Sequence, residues 1–76
     1  MITGAQIREG RRLASLGPRQ LARRAKLPVA VVERAESVDG EPVITTAQAH
    51  ALQRALEAAG VEFMSGDSPG VKLRSR

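Results

Sequence analysis

The stretch Gly17–Ser37, GPRQLARRAKLPVAVVERAES, constrains this chain more than any other, because Pro18 and Pro28 leave room between and after them for two short helices joined by a tight turn. Proline has no amide hydrogen to lose in a helix's first turn, so Pro18 opens the first of these helices and Gly17 takes the cap geometry. Leu21, Ala22 and Ala25 recur at helical spacing as a narrow apolar stripe, which leaves Arg19, Arg23 and Arg24 to solvent. Pro28 disfavours a helical conformation at Leu27, so the first helix ends near Ala25 and the turn falls on Lys26 and Leu27. In the second helix Val32, Ala35 and Glu36 return at helical spacing, and the side pointing away carries Val29, Ala30, Glu33 and Arg34.

A chain of 76 residues makes one small domain with a marginal core, the more so because many of its apolar residues are alanines and Phe63 is its only aromatic. A partner or a second copy would support such a core. Without cysteine there is no disulfide framework and no thiolate nucleophile, and the lone His50 cannot assemble a metal site without several carboxylates. No nucleophile–base arrangement, phosphate-cradling glycine loop or cluster of carboxylates is visible, so neither an enzyme, a small-molecule substrate nor a cofactor is expected. The opening MITGAQIREGRR lacks the apolar run of a signal peptide, and no stretch is long enough to span a bilayer. A soluble, cytoplasmic protein with no membrane partner is the expectation.

Charge is informative once it is located. Residues 1–26 hold Arg8, Arg11, Arg12, Arg19, Arg23, Arg24 and Lys26 against Glu9 alone, a net of +6. Residues 27–67 hold Arg34 and Arg54 against seven acids, a net of −5, and the tail adds Lys72, Arg74 and Arg76. This asymmetry suggests a polyanion for the N-terminal part, nucleic acid first, although arginines also serve simply to solvate helix surfaces.

Ahead of the central pair, Thr3 can cap a helix, Gln6 can complete a capping box, and Ile2 can pack on Ile7 as a staple. That helix is expected to run to about Ser15 with Ile7, Gly10 and Ala14 inward, Arg11 at the edge and Leu13 flanking; Gly10 suggests a close approach by another helix. Beyond the pair, Val38–Pro42 is a loop by composition. Thr45 caps a fourth helix with Gln48 as the other half of a box; Ala49, Leu52, Leu56 and Ala59 form its buried stripe, and His50 falls on the opposite face. Gly60 ends it as a left-handed cap, with Val61 supplying the hydrophobic contact. Val61–Met64 and Val71–Arg74 alternate apolar with polar around the turn formers SGDSPG. They predict a hairpin with Val61, Phe63, Val71 and Leu73 facing the helices and Glu62 able to meet Lys72 or Arg74. Its exposed edge also invites pairing with a second subunit.

Ile7, Arg11, the Gln20-Leu21-Ala22 step, Ala25, Val32 and Glu36 occur in an order and spacing that resembles the phage-repressor and Cro type of helix-turn-helix regulator, also called the xenobiotic-response-element family, in its short bacterial form. The likeness covers about Ile2–Gly60, and the ending Gly60–Arg74 is similar to the strand-forming tail of small single-domain members. The resemblance implies a mostly α fold: a four-helix, repressor-like helix-turn-helix domain over residues 1–60, followed by a C-terminal hairpin or dimer-forming strands over 61–76. It also implies that the helix Val29–Glu36 enters the DNA major groove while the preceding helix lies against the backbone, in a homodimer formed through the C-terminal strands on a near-palindromic operator, as a transcriptional regulator of repressor type. Arg11 and Glu36 match positions at which the family often has an ion pair between its first helix and the end of the recognition helix.

On that reading Val29 and Ala30 would touch thymine methyls, Glu33 would accept from a cytosine amine and Arg34 would grip guanine. Phosphate contacts would come from Arg19, the amides at the start of its helix, Arg12 and Lys26. The sequence departs from the family within the recognition helix, where Val29, Ala30 and Val31 are apolar and Glu33 would repel nearby phosphate in place of the usual amides and hydroxyls, and at three places outside it. Pro18 replaces a phosphate-binding glutamine, Asp39 and Glu41 stand where basic residues are common, and Lys26 occupies a turn position where glycine is frequent. These departures keep open an alternative in which the fold serves as a protein-binding module, antitoxin-like or anti-repressor, through an apolar patch of Val29, Ala30 and Val31.

Overall fold

The computed structural model describes residues 2–64 and 70–74. Four helices, α1 (Gly4–Leu13), α2 (Pro18–Ala25), α3 (Val29–Glu36) and α4 (Thr46–Ala58), lead into two antiparallel strands, β1 (Val61–Met64) and β2 (Gly70–Leu73). Ile2, Ile7, Leu21, Ala22, Val32, Ala35, Leu52, Ala55, Leu56 and Val61 form one core to which every helix and β1 contribute.

Two helix starts are fixed by reciprocal side-chain caps. Thr3 Oγ1 accepts from the Gln6 amide at 3.1 Å while Gln6 Oε1 accepts from the Thr3 amide at 2.9 Å. Thr45 and Gln48 repeat the arrangement at 3.0 Å in both directions. Each box satisfies one donor inside the helix and one just outside it. At the start of α2 only half of this exists: Gln20 Oε1 accepts from the Gly17 amide at 2.7 Å, and glycine has no side chain to return the bond.

The ends of α1, α2 and α4 share a second device, a left-handed residue followed by an apolar one that turns back to the core. Ser15 (φ 57°), Lys26 (φ 58°) and Gly60 (φ 97°) hold the left-handed conformation, and Leu16, Leu27 and Val61 follow them. Amides of Leu16 and Leu27 donate to Arg11 and Ala22 carbonyls at 3.0 and 2.9 Å, five residues back, as in a Schellman closure. Ser15 therefore ends α1 at Leu13, two residues before the expected limit.

Helix α1 turns Ile7 and Gly10 inward as expected, and at Gly10 side chains of α4 and the hairpin pack closely. A Cβ there would stand 3.3 Å from Val61 Cγ1 and 3.4 Å from Leu56 Cδ1. Gln6 is buried as well. On α4, Ala49, Leu52 and Leu56 are buried, Ala55 joins them in place of the half-buried Ala59, and His50 is exposed.

In the hairpin Val61 pairs with Leu73, Glu62 with Lys72, Phe63 with Val71 and Met64 with Gly70. The expected turn at 65–69 lies outside the described residues. Val61, Phe63 and Val71 pack against the core, whereas Leu73 is 49 % exposed, contrary to expectation, although its cross-strand partner Val61 is fully buried. Glu62 reaches Arg74 at 3.8 Å. The strands pair within one chain, and Gln6 fastens them to α1: its Nε2 donates to the Met64 and Gly70 carbonyls, each at 3.2 Å. No helix among the described residues is long and apolar enough to cross a membrane.

Candidate nucleic-acid interface

The central pair is built from the inside outward. Leu21 and Ala22 of α2 and Val32 and Ala35 of α3 are buried against each other's layer, and Leu27 is drawn half-inside by the Schellman closure at Lys26. Pro28 has extended geometry (φ −61°, ψ 146°) and serves as N-cap of α3, so its fixed ring turns the chain immediately into the second helix. Lys26 takes the left-handed conformation in the position where glycine would be least strained, which costs an L-residue about 1 kcal/mol.

Helix α3 is clamped to α1 at its C-terminal end. The Arg11 guanidinium meets the Glu36 carboxylate with two parallel bonds, Nε to Oε2 at 2.7 Å and Nη2 to Oε1 at 2.9 Å, and its remaining Nη1 donates to the Leu16 carbonyl at 3.1 Å. The two side chains are only 16 % and 12 % exposed. Hydrogen bonding to Glu36, aided by its charge, raises the Arg11 pKa above the ordinary guanidinium value against the opposing effect of burial. One turn earlier, Arg8 donates from Nη1 to the Glu36 backbone carbonyl at 3.0 Å and from Nη2 to Asp39 Oδ1 at 2.7 Å. A cation on the last carbonyls of α3 is also the favourable sign for its dipole.

The loop after α3 is tied back by main chain. The Gly4 amide donates to the Gly40 carbonyl at 2.7 Å and the Ala5 amide to the Asp39 carbonyl at 3.2 Å, so donors that α1 cannot satisfy internally hold the loop. The chains come so near at Gly4 that a Cβ would collide with the Ala35 and Val38 carbonyl oxygens. Among the described residues this is the one position where glycine is required for close approach of two backbones.

With α3 held in this way, Ala30, Glu33, Arg34 and Ser37 form its exposed face at helical spacing. Val29 is half-buried and packs against the core, so only part of it is available to a partner. Val31 is 6 % exposed, which removes it from any surface patch. An eight-residue helix buries more than a narrow stripe when helices lie on two sides of it, and Val31 faces inward beside Val32.

Arg12, Arg19 and Lys26 are exposed, and among the described residues none of them, nor Arg34, makes an ion pair. Arg19 and Lys26 stand at opposite ends of α2, about 10 Å apart along its axis, and Arg12 sits in the last turn of α1. Arg19 and Lys26 are therefore too far apart to form one cluster. At the start of α2, Gly17 leaves the Arg19 and Gln20 amides without a side-chain cap. Arg8 and Ser37 belong to this surface although the sequence pattern does not single them out. Arg8 is found by noting that it lies three residues before Arg11 on the same helix face, while Ser37 becomes visible only once α3 is seen to point its last turn outward.

A shallow groove of about 410 Å³ lies away from α3, between α1 and β2, lined by Thr3, Ala5, Gln6, Glu9, Leu13, Gly70 and Val71. No group of three or more His, Cys, Asp or Glu residues is placed to hold a metal among the described residues. No protein-family model, curated protein or solved structure matches the chain.

Proposed function

We propose that the chain is a sequence-specific DNA-binding regulator of transcription whose α3 lies along the major groove of a duplex, in a repressor-like helix-turn-helix arrangement with α2. The single observation that carries this reading is the exposed face Ala30, Glu33, Arg34 and Ser37, held at a fixed angle by the Arg11–Glu36 and Arg8 clamps. Arg34 there has no intramolecular ion pair among the described residues and can donate bidentately to guanine O6 and N7. Arg19 and the uncapped amides of Arg19 and Gln20 suit a phosphate at the start of α2, with Arg12 and Lys26 as flanking contacts.

The protein acts as a homodimer that sets two copies of α3 in successive major grooves, half-site centres about 10 bp apart. The free edges of the two-stranded hairpin, with Leu73 and Met64 exposed beside them, are the surface for that pairing. Binding at such an operator excludes polymerase or recruits it. The competing reading, a protein-binding module, required an apolar Val29–Val31 patch, and with Val31 buried and Val29 half-buried that patch reduces to Ala30.

Selection of bound sites from random duplex DNA, followed by titration at several salt concentrations, tests the proposal. The affinity should fall with a log–log slope of about −0.9 for each phosphate neutralised. Arg34→Ala should relax the preference at one base position at a cost of about 1–3 kcal/mol, whereas Arg19→Ala should weaken binding uniformly and reduce the slope by about one. A salt-insensitive titration, or a binding-site preference unchanged by Arg34→Ala, overturns it.

A further inference from the structure

Glu33 is the one acid on the exposed face of α3. Among the described residues it makes no ion pair. Its helical neighbours offer it nothing: Val29 and Ala30 are apolar, Glu36 is committed to Arg11, and the Ser37 hydroxyl donates to the Arg34 carbonyl at 2.7 Å. It lies mid-helix, beyond the first turn where the helix dipole would favour a carboxylate. Beside it stands Arg34, the residue proposed above to grip guanine.

A carboxylate carried toward a duplex is repelled by phosphates on both sides of the groove and must give up its water. Among the four base edges in the major groove, the cytosine N4 amine offers a carboxylate a donor without a competing acceptor on the same base. We infer that Glu33 is a specificity-determining residue, selecting a cytosine in the half-site and disfavouring every sequence that lacks one there. The inference rests on the DNA-binding reading above and sharpens it to half-sites that combine a guanine read by Arg34 with a cytosine read by Glu33. Discrimination thus arises as much from repulsion of wrong sites as from attraction to the right one.

Two substitutions separate charge from acceptor. Glu33→Ala removes both, so the cytosine preference disappears and affinity for sites lacking that cytosine rises about two- to five-fold as the repulsion is lifted. Glu33→Gln keeps an acceptor, so it retains part of the preference while gaining affinity for non-cognate DNA. The residue is solvent-exposed, and unchanged thermal unfolding of both variants confirms an intact fold. A chemical probe checks the contact itself. Placing N4-methylcytosine at the selected position replaces the groove-facing hydrogen with a methyl, and should weaken the wild type by about 5- to 150-fold. It should leave Glu33→Ala little affected. If the wild type binds DNA with steep salt dependence but Glu33→Ala leaves its site preference unchanged, or weakens all sequences alike, this inference fails and the DNA-binding reading stands. If the wild type ignores duplex DNA in dilute buffer, both fail.

Discussion

At Arg11 three acceptor oxygens converge on one guanidinium, two from the Glu36 carboxylate and one from the Leu16 carbonyl, and this joins the start of α2 and the end of α3 to α1 through a single side chain. Removing one partner of a nearly buried pair strands the other charge, which costs more than the pair contributes. Arg11→Ala should therefore lower stability by about 2–4 kcal/mol, while Arg11→Met combined with Glu36→Leu should cost clearly less; urea unfolding of both reads the difference. The sign with pH follows from the raised pKa of Arg11. A group whose folded pKa lies above its unfolded value contributes stability that is complete below the unfolded pKa and lost only as pH climbs through the folded one. For an arginine both lie beyond the working range, so raising the pH from neutral to mildly alkaline should leave this contribution intact. Sequence reading reaches Arg11 and Glu36 only through family resemblance, since nothing local pairs residues 25 positions apart. The outward set on α3 is legible at Ala30, Glu33 and Arg34 by spacing alone, yet spacing also assigns Val29 to the outward side and the apolar run invites Val31 into a surface patch, whereas Val29 is half-buried and Val31 buried, because burial by a neighbouring helix is a tertiary fact.

Elements that are specified locally are the ones the sequence announces. The boxes at Thr3–Gln6 and Thr45–Gln48, the prolines that open α2 and α3, and Gly60 each act within a few residues, and the helices begin or end where those residues stand. Less accessible are ends made by residues with no preference for the task. Ser15 ends α1 in a conformation serine rarely adopts, sustained by Leu16 returning to the core. Gln6 shows the same limit at the scale of contacts. Its capping role is readable, but its second role, carrying one hydrogen to each strand of the hairpin, depends on carbonyls 58 and 64 residues away. Replacing it tests how the hairpin is held. Gln6→Ala leaves two strand carbonyls and the Thr3 amide without this partner, so stability should fall by about 1–3 kcal/mol. Amide exchange in β1 and β2 should accelerate more than in α2 and α3; equal acceleration everywhere would show that Gln6 acts on the whole core and not on the hairpin.

The whole molecule is small, with a radius of gyration of 11.0 Å, and alanines make up three of its ten core residues. A domain of this size has little stability in reserve. Pairing through the hairpin edge would cover Leu73 and Met64, and folding would then be linked to association. The melting temperature should accordingly rise with protein concentration, and Leu73→Lys should abolish that rise and return a monomer mass in solution. Melting that is independent of concentration in the wild type would rule out association through that edge.

The junction between the start of α1 and residues 39–40 is made by peptide groups, so truncating side chains along that segment touches none of its bonds except the exposed Arg8–Asp39 contact, whose carboxylate side chain is 86 % exposed and worth little. Alanine scanning would pass over it as inert. That makes the segment a place where chemistry is free to be rewritten: converting Asp39 and Glu41 together to lysine should leave the free energy of unfolding within about 0.5 kcal/mol of the parent. The same exchange adds cationic contacts at the border of α3, and binding to arbitrary duplex should tighten with a steeper dependence on salt.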